Sequence, residues 1–196
     1  MKNYLAGMFM LVALSATAQE YKPFKVNLSI GYAKPLNAGV SGGVLFAVEP
    51  KYGVTDNFDV GLRLESAYVE RGVQLNGNTR TSDAGAFLSG LITGNYLFGT
   101  GSVRPFLGAG VGVYRIGAAG TQTFNNGQGV PQDLVFVNDT KFGGMIRGGI
   151  KAGHFVAAVE YNAAPTTDLT VGTTKVSSEN SYVGVKVGFD IGGGRR

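Results

Sequence analysis

The sequence predicts an all-β fold, an eight-stranded antiparallel up-and-down transmembrane β-barrel, on three observations. Hydrophobicity is substantial but dispersed: 44% of the 196 residues are hydrophobic and 15% charged, 32 are glycine, and no long apolar run follows the N-terminus. The dispersal has period two, the mark of strands with one apolar face. Finally, the connections alternate between tight turns and long polar loops, as in a meander inserted into a membrane from one side.

The N-terminus reads as a secretory leader. Lys2 precedes an apolar run from Tyr4 to Leu14, and Ser15-Ala16-Thr17-Ala18 offers an A-x-A cleavage site before Gln19. The run is too short to span a hydrocarbon core, which takes about 20 helical residues. Residues 1–18 are therefore assigned to export and residues 19–196 to one barrel domain.

Eight stretches then carry the alternation. The first, Phe24–Ala33, sets Phe24, Val26, Leu28, Ile30 and Tyr32 on one face. Val44–Tyr52 and Phe58–Val69 repeat the pattern, and in the latter Phe58, Val60, Leu62, Leu64 and Tyr68 oppose Arg63 and Glu65. Ala84–Phe98 follows. In Val103–Ile116, "VRPFLGAGVGVYRI", glycine occupies every second position from Gly108 to Gly112. That spacing fails the G-x-G-x-x-G dinucleotide fingerprint and no helical pattern follows it. A strand whose nearly bare inner face gives room for the bulkier lumen charges of other strands is the better reading. Thr140–Ala152, Phe155–Ala163 and Asn180–Ile191 complete the set, and no segment shows a sustained helical period.

The tight connections are Gly53–Asn57, Gly99–Ser102 and Gly153-His154; the long ones are Lys34–Gly43, Glu70–Asp83, Gly117–Asp139 and Ala164–Glu179. Short turns and both termini fall on the periplasmic side of such a barrel. Aromatics support the inversion that puts the apolar face outward. Phe24, Tyr52, Phe58, Tyr96, Phe98, Phe155 and Phe189 gather at the short-turn end, and Tyr32, Tyr68, Phe142 and Tyr161 at the other, as two girdles at two membrane interfaces.

Charge pairing sets the expected register, because opposite charges across a hairpin are favoured over like ones. Pairing Gly53 with Asp59 puts Glu49 opposite Arg63, and a Gly153-His154 turn with glycine first aligns Arg147 with Glu160. Lys25 and Asp190 are expected to pair across the closing seam. These six residues form structural lumen ion pairs, since the interior of an eight-stranded barrel is just wide enough for side chains to fill.

Catalytic chemistry is not legible. There is no cysteine, and the single histidine, His154, lies in a turn at the periplasmic rim, which leaves neither an ordinary zinc site nor an outward hydrolase triad. No cofactor motif occurs. The net charge of +4 is spread along the chain with no basic stripe interleaved with aromatics, so nucleic-acid binding is not indicated.

The stretches "GNYLFGTGS", "VRPFLGAGVGVYRIG", "GHFVAAVEYNAAP" and "SYVGVKVGFDIGGGRR" resemble the outer-membrane β-barrel domain family of OmpA-like, OmpX-like and small porin-family proteins of Bacteroidetes type. The resemblance covers the chain after the leader and implies a cell-envelope protein embedded in outer-membrane lipid. One departure is the end of the chain, where Phe189 is followed by seven further residues instead of standing as a terminal aromatic. The leading expectation is a non-enzymatic structural or surface-interaction protein, which would meet extracellular ligands or proteins through loops 117–139 and 164–179. A narrow solute channel, a soluble lipocalin-like barrel and, more distantly, a lipid-modifying enzyme are the other readings.

Overall fold

The computed structural model describes residues 21–36, 40–75, 78–116, 122–125, 131–134, 139–171 and 174–195. The leader expected over residues 1–18 lies outside them. The described residues form strands β1 (Tyr21–Pro35), β2 (Gly43–Gly53), β3 (Phe58–Leu75), β4 (Asn78–Leu97), β5 (Val103–Ile116), β6 (Gln122–Asn125), β7 (Pro131–Leu134), β8 (Asp139–Ala152), β9 (Phe155–Ala163), β10 (Thr167–Val171), β11 (Thr174–Ser178) and β12 (Tyr182–Arg195). Eight of them close a barrel in the order β1-β12-β9-β8-β5-β4-β3-β2, with every neighbouring pair antiparallel.

The burial pattern is inside out by the standard of a water-soluble protein. Along β3 the even-numbered residues Phe58, Val60, Leu62, Leu64 and Tyr68 are exposed, whereas Asp59, Arg63 and Glu65 are buried. All eleven aromatics of the two expected girdles are exposed on the outer face. From Phe58 to Tyr68 the strand climbs about 33 Å, or about 25 Å along the axis at a tilt of roughly 40°. That is the height of a bilayer's apolar band, and a hydrocarbon solvent explains why the apolar face points away from the core.

Three connections at one end are tight and bonded together. Asn57 donates through its side chain to Leu97 O at 2.8 Å, Phe98 N to Pro105 O at 2.8 Å and Gly153 N to Ser102 O at 3.1 Å. Gly153, first in its two-residue turn, has φ +59°, a backbone that side-chain-bearing residues rarely adopt. At the other end the expected loops are replaced, in part, by more sheet. The segment Glu70–Asp83 is not a loop, because β3 and β4 stay paired past a bulge at Val69/Arg71 to Leu75 opposite Asn78. Within Gly117–Asp139, β6 pairs with β7; within Ala164–Glu179, β10 pairs with β11. Backbone pairing satisfies N–H and C=O groups that an irregular loop would leave to water. β11 approaches β3 and β10 approaches β7, so these hairpins cluster.

The glycines of β5 leave the expected room for lumen side chains of other strands, and those side chains and neighbouring backbone fill it. A Cβ on Gly108 would lie 2.3 Å from Asn95 Oδ1 and 3.2 Å from Arg147 Cγ, and one on Gly112 would lie 2.1 Å from Gly90 O. Gly112→Ala should therefore destabilise the barrel by about 1–3 kcal/mol through overpacking against backbone. Gly90→Ala, whose Cβ would meet only Leu64 Cδ2 at 3.6 Å, should be neutral or slightly stabilising. Urea unfolding in lipid vesicles measures both.

Candidate functional site

The lumen is the only region where the fold gathers the six residues singled out from the sequence, and its chemistry follows from strand parity. Every second residue points inward, so Glu49 and Lys51 on β2, Asp59, Arg63 and Glu65 on β3, Arg147 on β8, Glu160 on β9 and Lys186 and Asp190 on β12 are all buried.

The register is as expected: Gly53 faces Asp59 and Arg147 faces Glu160. The head groups nevertheless pair otherwise, and two expectations are corrected. Arg147 clamps Glu49 with two bonds, Nη1 to Oε2 at 2.9 Å and Nη2 to Oε1 at 2.5 Å, instead of bonding Glu160. Arg63 reaches Glu160 at 2.7 Å instead of Glu49. β8 and β2 stand four places apart around the ring of eight, as do β3 and β9, so both pairs cross the full lumen. The reason is geometric: inward side chains converge on the axis, and a long arginine reaches the opposite wall as readily as its cross-strand neighbour.

The seam pair is corrected too. Asp190 faces Asn27, not Lys25, and accepts a 2.8 Å bond from Asn27 Nδ2. Lys25 faces Lys51 across β1 and β2. Like charges in that position diverge: Lys25 binds Asp59 at 2.7 Å, while Lys51 sits 3.6 Å from Glu49 and 3.9 Å from Asp190. Asp190 also pairs with Lys151.

Residues that the sequence reading did not single out complete the arrangement. Glu65 accepts from Tyr182 Oη at 2.6 Å and lies 3.3 Å from Arg63. Lys186 binds Glu160 at 2.7 Å. Asn95 accepts from Arg147 Nε at 2.8 Å and donates to Asp59 at 2.7 Å; Thr93 donates to Glu49 at 2.6 Å. Asn162 accepts from Arg63 at 2.7 Å and from Tyr114 Oη at 3.0 Å. Strand parity would have found Glu65, Asn162, Tyr182 and Lys186, each of which shares a strand face with a residue already chosen; β4 and β5 carry no chosen residue, so Thr93, Asn95 and Tyr114 gave no such signal.

Apolar layers lie on both sides of this polar middle. Toward the loop end, Leu45, Phe87, Leu91, Tyr114, Met145 and Tyr182 form a buried cluster, with Phe87 edge-on to Tyr182 at 6.4 Å. Toward the turns, Leu97, Phe106, Val156 and Ala158 form another. The cavity left beside this second cluster measures about 10 Å³, room for a single water. His154 stands at the turn-end rim, where its Nδ1–H donates to Asp190 O at 2.7 Å and its ring stacks on Phe189.

Removing one partner of a buried pair strands the other charge. Glu49→Gln or Arg147→Met alone should each lower unfolding stability by about 3–5 kcal/mol, and the double variant should lose less than the sum. A double-mutant cycle in vesicles reads the coupling.

No protein-family model and no curated protein matches the chain. Solved structures do. The neisserial surface protein A is 18% identical over 85% of this chain and 96% of its own, with a TM-score of 0.51. The outer membrane protein OprG from Pseudomonas aeruginosa is 13% identical over 87% and 97%, with a TM-score of 0.52. Likeness at these identities speaks to architecture, and by its architecture the chain is a small eight-stranded β-barrel of the outer-membrane type.

Proposed function

We propose that this protein is an integral outer-membrane barrel with a structural or surface-interaction role, exported by a leader over residues 1–18 and oriented with its termini and short turns in the periplasm. The observation that carries the reading is the combination of an apolar exterior about as tall as a bilayer's core with a lumen packed by transluminal ion pairs and two apolar layers. The first feature suits a lipid solvent; the second suits a scaffold better than a conduit. Glu49, Arg63, Arg147, Glu160, Lys25 and Asp190 hold the wall together in this reading and take no part in transport or catalysis. Contact with extracellular ligands or proteins falls to segments 117–139 and 164–179, whose hairpins exceed what closing the barrel requires.

A narrow channel is the second reading, favoured by the charged lumen. Two measurements separate them. In cells the protein should fractionate with the outer membrane and run faster on gels unheated than heated; recovery in the soluble periplasm without detergent would sink the membrane assignment. In planar bilayers the wild type should give no discrete conductance steps, whereas the channel reading requires them.

A further inference from the structure

The turn end of the barrel is hollowed into a cup. Its cavity of about 320 Å³ is walled by Lys25, Arg104 and Lys151 from three strands, by Asp56 and Asp59, and by His154 on the rim. It is blind. Leu97 lies at its floor, and the space beyond, lined by Leu97 and Phe106, holds about 10 Å³. Whatever enters from this side stops there, so the cup is a place to bind and not a route through.

Arg104 differs from the other inward cations. Arg63 and Arg147 are clamped to glutamates, Lys25 to Asp59, and Lys51, Lys151 and Lys186 to carboxylates of their own. The Arg104 guanidinium bonds main-chain carbonyls instead, Nη1 to Asp56 O at 2.9 Å and Nη2 to Leu97 O at 3.3 Å; its Nε, like that of Arg63, is buried with no acceptor among the described residues. No carboxylate of the described residues lies within 4.0 Å of it. A guanidinium is a planar fork of five donors that matches carboxylate and phosphate oxygens. His154 adds a second group of fixed orientation: its Nδ1 proton is committed to Asp190 O, which leaves Nε2 for another partner. Of the three full cations on this wall, Lys25 is paired with Asp59 and Lys151 with Asp190, so the charge left to meet an incoming anion is the Arg104 guanidinium, in a concave wall of low dielectric that strengthens the attraction.

We infer that this cup binds an oxyanion, a phosphate or a carboxylate group, with Arg104 as its anchor. The inference is independent of the surface-interaction reading, which concerns the opposite end of the barrel.

The test uses the full chain refolded in detergent micelles, titrated with inorganic phosphate or with acetate against chloride at constant ionic strength. Amide NMR shifts report the site. Saturable shifts are expected at Gly99, Gly101 and Gly153 and not at the loop end. Arg104→Gln should weaken binding about tenfold, the worth of one charged hydrogen bond. Because Arg104 also ties a turn, Gly101→Glu provides a second arm. A side chain there has open space, with only Val103 O at 3.8 Å from its Cβ, and it sets a carboxylate on the wall. Binding should be lost while heat-modifiable gel mobility is kept. Arg115→Gln, on the outer face at the far end, should change nothing. Saturation by phosphate alone assigns a phosphate-bearing ligand; saturation by both anions assigns a general oxyanion site. No saturable shift with either anion, or undiminished binding in Gly101→Glu, overturns the proposal.

Discussion

Two arginine–glutamate contacts that cross the full width of the lumen brace this molecule. A ring of eight strands held only by backbone ladders could flatten or shear; Arg147 on Glu49 and Arg63 on Glu160 fix opposite walls at a set separation. Arginine suits the task because its side chain reaches past the axis and its planar fork grips both carboxylate oxygens, as it does on Glu49. Around each brace, asparagines, threonine and tyrosines take up most of the remaining donors and acceptors, Arg63 Nε being an exception. Without those partners, charges taken out of water would cost more than their attraction returns.

The braces in turn govern which residues line the wall. The lumen's long cations and carboxylates cannot share a narrow bore with large side chains on every strand, so β5 supplies glycines where Asn95, Arg147 and Thr93 press against it. The same logic places the apolar layers. Leu45, Leu91 and their neighbours fill the lumen above the network, and Leu97 and Phe106 below it. Both exclude water from the ion pairs and strengthen them. The exterior has a different solvent to satisfy, and it is apolar throughout the belt for that reason.

Much of this was legible in the sequence because strand alternation is a strong and local signal. The eight barrel strands, the tight turns at Gly53–Asn57, Gly99–Ser102 and Gly153-His154 and the register of two hairpins follow from period and turn chemistry. Partner choice does not. Cross-strand rules see neighbours on adjacent strands, whereas Arg147 and Glu49 meet across a curvature that only the closed ring creates. The apolar layers left a fainter trace: doublets such as Leu91-Ile92, Leu97-Phe98 and Phe106-Leu107 interrupt the alternation, and one member of each must point inward. The loop hairpins were missed because their polar, glycine-containing stretches lack an apolar face to set a period.

The seam between β1 and β12 carries a consequence for how the molecule is made. Seven of the eight ladders join strands next to one another among the barrel elements, but this one joins Val26 to Ile191 and Tyr32 to Val185, nearly the whole chain apart. Until the last strand is delivered, two sheet edges stand open and no lumen exists in which Arg63 could meet Glu160. Before that ladder forms, the open sheet presents two edges able to pair with other chains. Closure and the internal salt bridges then arrive together, as one event that converts an open sheet into a cylinder.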